Sequence, residues 1–521
     1  MSKKILIFFP NTSNEGVAPL AVSTLSAIAK EKGYEVRYFE TSFYKHYNSA
    51  YDERKTTGEF KSFKDDVFNI KPYEYMQLDF NELMEDYKPD ILAVTANSLE
   101  YELFSDMMKV LPQFDDPKPF VFLGGCHATV DPEGSIDNPF VDAVCIGEGE
   151  KPWSDFLDAF EDGEDISQIG NIWVKTESEI VKNPISNLMT REELWAQPLD
   201  FSFFDQRHFK YVFDGTLYQR ASLELSRGCP YDCTYCVNTG FKNMYKGLGK
   251  FMRVRPYENL RNAAQDLLSD KGVDMIQFQD ESFFSVPMRT LEQFCEWYAS
   301  EVGRPTMVQV RPETVTEKKV KMMADMGVPV QMSVGLESGS ERILKDICSR
   351  RMKVEHMHSA IKIIKDYGLR TTAYTMIGFP TETREEVFET IELVRSLDLD
   401  VSIMSIFFPF KGTPLRDYCI ERGYITGDEP ARSFTDGPIL KNQPMSPKEI
   451  MNLRRCYALY TKLPREYFPQ IELCEYDYEN HQDLFRELVR LVNDNYYKAW
   501  EITPRSLVEN IMDSSHFSIK F

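Results

Sequence analysis

The chain is short of positive charge. Its 60 Lys and Arg stand against 82 Asp and Glu, a formal net charge of −22 over 521 residues. Nucleic-acid binding depends on a Lys/Arg excess facing phosphates, so this balance counts against a nucleic-acid partner. Long hydrophobic runs are also missing. The longest apolar stretches, such as Ile5 to Pro10, are far too short to cross a bilayer, and no membrane span is expected. The N-terminus M-S-K-K-I-L-I-F-F-P carries charge but has neither a long apolar stretch nor a small-residue cleavage site, so no signal peptide is expected. Ten cysteines are present without the regular spacing of a disulfide framework. Scattered thiols suit a reducing cytoplasm, and that is the expected location. Apolar residues make up 42%, enough for real cores, and the length suits two to four domains.

Residues 1–165 alternate apolar strands with helices. Strands are expected at Lys4–Pro10, Tyr34–Thr41, Asp90–Asn97, Phe120–Gly125 and Asp142–Ile146, with helices at Ala18–Gly33, near Asp79–Tyr87, at Leu99–Phe114 and at Lys151–Gly163. Nearly all-apolar strands separated by helices imply a parallel sheet covered on both faces. Ligands of such sheets sit at the carboxyl ends of the strands. Two loops there are glycine-rich: F-L-G-G-C-H-A-T with Gly124 and Gly125, and C-I-G-E-G-E with Gly147, Glu148 and Gly149. Taken alone these are ordinary strand–helix turns or places where backbone approaches a ligand. Residues 166–215 read as a hairpin, N-I-W-V-K-T-E-S-E-I-V-K-N-P, and a strap rich in packing aromatics.

Residues 216–420 repeat the strand–helix unit six times, which makes an open, partial (β/α)6 barrel with active residues at the carboxyl ends of its strands. Those ends carry Asp280 and Glu281, then Arg311, then Glu337 and Ser338, then Gly378. Residues 421–521 are expected to add a small helical C-terminal domain over the barrel mouth, with helices at Pro447–Lys462 and Gln482–Trp500. After the first barrel strand comes L-S-R-G-C-P-Y-D-C-T-Y-C-V-N, with Cys229, Cys233 and Cys236 within eight residues. Three thiolates so close can hold one metal centre from one tight loop. Four would close a zinc or an ordinary iron–sulfur site, whereas three leave one metal open to a further ligand. A zinc loop with a distant fourth ligand is the competing reading.

The cysteine loop, with aromatic Tyr235 just before the third cysteine, resembles the cluster loop of the radical S-adenosylmethionine (SAM) superfamily. The resemblance implies that Cys229, Cys233 and Cys236 ligate three irons of a 4Fe–4S cluster while SAM chelates the fourth iron. The strand-end strings resemble that superfamily's motifs at matching positions. They imply Asp280 or Glu281 on the SAM ammonium, Arg311 on a carboxylate or substrate anion, Glu337 and Ser338 at the ribose, and Gly378 against adenine. G-G-C-H-A-T and G-E-G-E resemble the N-terminal Rossmann-like cobalamin-binding domain of many radical SAM enzymes. The glycines would then let backbone lie against the cofactor's tail. The chain lacks D-x-H-x-x-G, whose His ligates cobalt from below, so no His on cobalt is expected. Asn97 or Ser98 would lie nearest the lower face, with His127 making a hydrogen bond rather than a cobalt bond. The implied activity is C-methylation of an unactivated carbon of a small molecule or peptide, through a 5′-deoxyadenosyl radical and methylcobalamin, with an external flavodoxin- or ferredoxin-type electron donor. The alternatives are a non-methylating rearrangement, cyclisation or ring contraction with the same cofactors, and a corrinoid-binding protein without turnover.

Overall fold

The computed structural model describes residues 3–497 apart from 14, 47–48, 62–66, 112–117, 214 and 432. Two seven-stranded sheets organise it. The first contains β1 (Lys4–Phe9), β2 (Glu35–Glu40), β3 (Ile91–Thr95), β4 (Phe120–Gly124), β5 (Ala143–Cys145), β6 (Ile172–Lys175) and β7 (Ile180–Lys182), in the order β2-β1-β3-β4-β5-β6-β7. β1 to β5 pair in parallel, and β6 and β7 join as an antiparallel hairpin on the β5 edge. The β3 run Ile91–Val94 is buried throughout, as a strand with helices on both faces requires. The order turns outward from β1, leaving a crevice between β1 and β3 at their carboxyl ends, the switch point where open α/β sheets take ligands.

The second sheet runs β16-β15-β14-β13-β12-β9-β8. Its members are β8 (Lys210–Phe213), β9 (Thr216–Leu223), β12 (Met275–Phe278), β13 (Thr306–Val310), β14 (Val330–Glu337), β15 (Arg370–Ile377) and β16 (Val401–Ile406). Six are parallel, and β8 adds an antiparallel edge to β9. This is a curled, open half-barrel. Between β9 and β12 a two-stranded ribbon, β10 (Ser226–Arg227) with β11 (Arg253–Val254), closes the base of the cysteine loop. Strand side chains alternate between the helix-covered outside and the lumen. Ile276, Val308, Met332 and Ala373 are buried outside, whereas lumen-facing Tyr374 is 36% exposed on a central strand, so the barrel is hollow.

The helices carry local stop and start signals. Thr383 and Glu386 make a capping box ahead of Arg384–Leu397, and Ser446 and Glu449 do the same ahead of Pro447–Lys462, with Pro447 in the first turn. The latter helix lies along β16, and its fully buried Arg454 pairs with Glu59 at 2.6 Å and Glu53 at 2.5 Å. The last described helix is Gln482–Asn495. The ends expected at Phe114 and Trp500 lie outside the described residues. Among the described residues no helix is long and apolar enough to cross a membrane.

Candidate active site between the two sheets

The cysteine loop leaves β10 through Gly228, whose φ is +92°. A Cβ there would come within 2.4 Å of the Phe251 carbonyl oxygen, so only glycine makes the turn. Its N–H donates to Glu281 Oε2 at 3.1 Å. Cys229, Cys233 and Cys236 line a pocket of about 210 Å³ together with Tyr235, Glu281, Arg311 and Glu337. Arg311 Nη1 donates to Cys233 Sγ at 2.9 Å, and its guanidinium stacks on the Tyr231 ring. Burial pushes the Cys236 thiol up to about 11, so the sulfur is a poor anion until a metal takes it. Among the described residues no three His, Cys, Asp or Glu side chains converge on a single ion. Three sulfurs on one wall, beside a cation, fit ligands that each serve a separate iron of a cluster. A fourth thiol, Cys348, lies behind the loop and is fully buried.

The other strand ends divide. Glu281 faces the pocket, but neighbouring Asp280 is 0% exposed and turned back on its own chain. Asp280 accepts from the Leu225 N–H at 2.9 Å and the Ser226 hydroxyl at 2.6 Å, and burial pushes its carboxyl up to about 7. Glu337 faces the pocket from a bulge in β14, with a left-handed φ of +66°. Arg350 holds it there at 2.8 Å and also donates to the Gly335 carbonyl and to Glu313. Ser338 instead sits beside Thr390, fully buried. Gly378 gives its N–H to Glu382 and faces Ile450, away from both cavities described here.

A larger cavity, about 530 Å³, opens at the carboxyl ends of β1, β3, β4 and β5. Its first-domain wall is Ile7, Val94, Phe122 and Trp153 with the glycines 124, 125, 147 and 149; its barrel wall includes Arg227, Asn238, Tyr245 and Glu281. The glycines differ. A Cβ on Gly125 would come within 2.7 Å of the Ala96 carbonyl oxygen, and one on Gly147 within 1.9 Å of the Tyr245 hydroxyl. Those two are glycine because of the protein's own atoms, not only because of a ligand. Gly124 and Gly149 meet nothing closer than 3.9 Å and 4.0 Å, so they present open backbone to the cavity. This cradle of bare backbone and apolar walls fits a large planar cofactor with a tail. His127 is not part of its lining. The imidazole stacks on Tyr101 at 3.8 Å, its Nδ1 lies 3.2 Å from Ser98 Oγ, and burial pushes it down to about 4. Asn97 is exposed, with its side chain capping the Leu99 N–H.

Asn238 and Glu281 line both cavities, which are therefore adjacent. Sequence reasoning missed Arg350, Arg227 and Arg253. Arg227 stands next to the cysteine motif as R-G-C, a local signal, but its partners Glu148 and Glu150 lie some eighty residues away.

Residues 223–394 match the radical SAM superfamily, and residues 61–157 match the B12 binding domain. The chain is accordingly a radical SAM enzyme with a B12-binding domain, and its cofactors are a 4Fe–4S cluster, SAM and cobalamin. It is similar to an uncharacterised methyltransferase of Pyrococcus horikoshii, 27% identical over 81% of this chain and 88% of that one. It is also similar to cytidylyl-2-hydroxyethylphosphonate methyltransferase of Streptomyces wedmorensis, 24% identical over 79% of each chain. A third relative is the anaerobic magnesium-protoporphyrin IX monomethyl ester cyclase of Cereibacter sphaeroides, 24% identical over 64% of this chain and 54% of that one. Two solved structures share the fold. One is the radical SAM methyltransferase TsrM from Kitasatospora setae, with TM-score 0.61, 17% identity and coverage of 81% and 78%. The other is the cobalamin-dependent radical enzyme OxsB, with TM-score 0.63, 15% identity and coverage of 99% and 76%.

Proposed function

We propose that the chain is a C-methyltransferase acting on an unactivated carbon of a small molecule or peptide. The observation that carries this reading is that the two cavities are adjacent, sharing Asn238 and Glu281 as lining, which puts the two cofactor sites side by side. When bound, the cluster and SAM supply a reactive carbon radical, and the corrinoid supplies a methyl group. The chain's own part is to hold, orient and exclude. Cys229, Cys233 and Cys236 hold the cluster, and Arg311 offsets negative charge at Cys233. Glu281 would accept hydrogen bonds from the SAM ammonium, and Glu337, fixed by Arg350, would accept from its ribose. Backbone at Gly124 and Gly149 would border the corrinoid. Ile7, Val94, Phe122 and Trp153 give the corrinoid cleft its apolar wall. Electrons come from an external flavodoxin- or ferredoxin-type protein.

Two relatives that cover more than three quarters of both chains carry methyltransferase names, which supports methylation. The cyclase relative favours the second reading, a cyclisation with the same cofactors. SAM-derived products separate the two. Reconstituted enzyme given cobalamin, SAM and a strong reductant under anaerobic conditions is expected to form S-adenosylhomocysteine as well as 5′-deoxyadenosine. 5′-Deoxyadenosine without S-adenosylhomocysteine would favour the cyclisation.

A further inference from the structure

Besides lining the corrinoid cavity, the G-E-G-E loop has a second set of contacts, made to barrel side chains that line the same cavity. Glu150 Oε1 lies 2.6 Å from Arg227 Nη1, and Glu148 Oε1 lies 3.7 Å from the same nitrogen. Arg253 Nη1 donates to Glu148 Oε2 at 2.9 Å, and its Nη2 pairs with the other oxygen of that carboxylate. The Glu148 N–H donates to the Tyr245 hydroxyl at 2.8 Å. Gly147 leaves room for that hydroxyl, since a Cβ there would overlap it. The shielding is uneven: the Arg253 side chain is 3% exposed and that of Glu150 9%, against 17% for Glu148 and 27% for Arg227.

The barrel partners bracket the cluster loop. Arg227 stands two residues before Cys229. Tyr245 caps the helix Val237–Met244, which starts directly after Cys236. Arg227 and Arg253 face each other across the ribbon that closes the loop's base. One four-residue turn of the corrinoid domain therefore grips the cluster loop before its first ligand and after its last.

We infer that Gly147–Glu150 is a positioning clasp, with Glu148, Glu150, Arg227, Arg253 and Tyr245 as positioning residues that fix the corrinoid cleft relative to the cluster. Group transfer between two bound cofactors and a substrate is sensitive to displacements on the order of 1 Å. Other contacts also join the domains, Arg454 with Glu53 and Glu59 and Lys411 with Asp131 among them, but the G-E-G-E pairs are the ones beside the cluster loop, and paired guanidinium and carboxylate groups fix distance and direction. The inference rests on the presence of both cofactors and not on methylation.

The test uses reconstituted enzyme carrying the cluster and cob(II)alamin, in the unaltered chain and in Tyr245→Phe, Glu150→Gln and Arg227→Lys. Iron and corrinoid contents are measured first. The microwave-power saturation of the cob(II)alamin resonance is then compared with the cluster oxidised and with it reduced. A reduced, paramagnetic cluster held at a fixed short distance speeds cob(II)alamin relaxation. The unaltered chain is expected to show that enhancement. Compared per bound corrinoid, Glu150→Gln and Arg227→Lys are expected to lose the enhancement severalfold, with Tyr245→Phe between. Unchanged relaxation in all three variants would overturn the clasp, as would loss of corrinoid with the cluster intact in all three, since the loop would then be a cofactor contact alone. No enhancement in the unaltered chain also overturns it. An unaltered chain that binds no corrinoid at all would instead sink the cofactor reading beneath it.

Discussion

Asp280 and Glu281 adjoin in sequence and face opposite ways. Sequence reasoning placed either one at the SAM ammonium because both end the same strand. Both lie beyond the end of β12 at Phe278, where the chain turns, and the turn leaves Asp280 in the protein and Glu281 on the pocket. Asp280 is a structural acceptor for Leu225 and Ser226 at the root of the cysteine loop. Glu281→Gln should therefore weaken SAM binding by roughly 10- to 100-fold, the loss of a charge-assisted hydrogen bond worth about 1.5–3 kcal/mol. Asp280→Asn should keep SAM affinity within about threefold, below roughly 1 kcal/mol, and lower the unfolding temperature instead. Equilibrium dialysis of SAM against the two variants checks this, and equal affinities would move the ammonium site elsewhere. Arg350 shows the complementary limit. Nothing local in S-R-R-M marks it as the anchor of Glu337, because that bond depends on the curl of the barrel.

At the scale of elements, most of the fold was legible. The five parallel strands of the first sheet fall within two residues of their expected ends, and the barrel has the six parallel strands expected, because buried strands leave unbroken apolar runs. The hairpin Ile172–Lys182 was legible as a hairpin but not by its place. It extends the first sheet on the β5 edge, a pairing that alternation alone does not specify. The strap after it contributes His208, buried between Glu40 of β2 and Asp205, with Nε2 3.2 Å from Glu40 and Nδ1 3.3 Å from Asp205. Burial acts to lower its affinity for a proton, but the two carboxylates outweigh that and raise the imidazole to about 9. Its folded value therefore exceeds the ordinary 6.5. The added stability is fully present below pH 6.5 and is lost as pH rises through 9. At about 1.4 kcal/mol per pH unit, the upper limit is about 3 kcal/mol. Thermal unfolding of the unaltered chain should fall more steeply between pH 6.5 and 9 than that of His208→Gln, and parallel profiles would contradict the pairing.

At the scale of the whole molecule, two sheets present their strand ends to one another across a shared chamber. The local parts of the site stood out in the sequence, since a tight three-cysteine loop and glycine turns are short-range motifs. Their convergence did not, because Asn238 and Glu281 come to border both cavities only once the domains dock. The expectation that any side chain on the four glycines would strike the cofactor needs the same distinction. Gly125→Val would collide with Ala96 and damage β3 and β4 themselves, so Gly124→Val is the cleaner probe of the cleft. The most direct test of the two-cofactor chamber is the corrinoid content of anaerobically reconstituted protein supplied with hydroxocobalamin and passed through gel filtration. The account expects the unaltered chain to keep stoichiometric corrinoid and cluster, and Gly124→Val to lose corrinoid while keeping its iron. Unaltered protein that emerges coloured by iron alone, or Gly124→Val that retains full corrinoid, would contradict it.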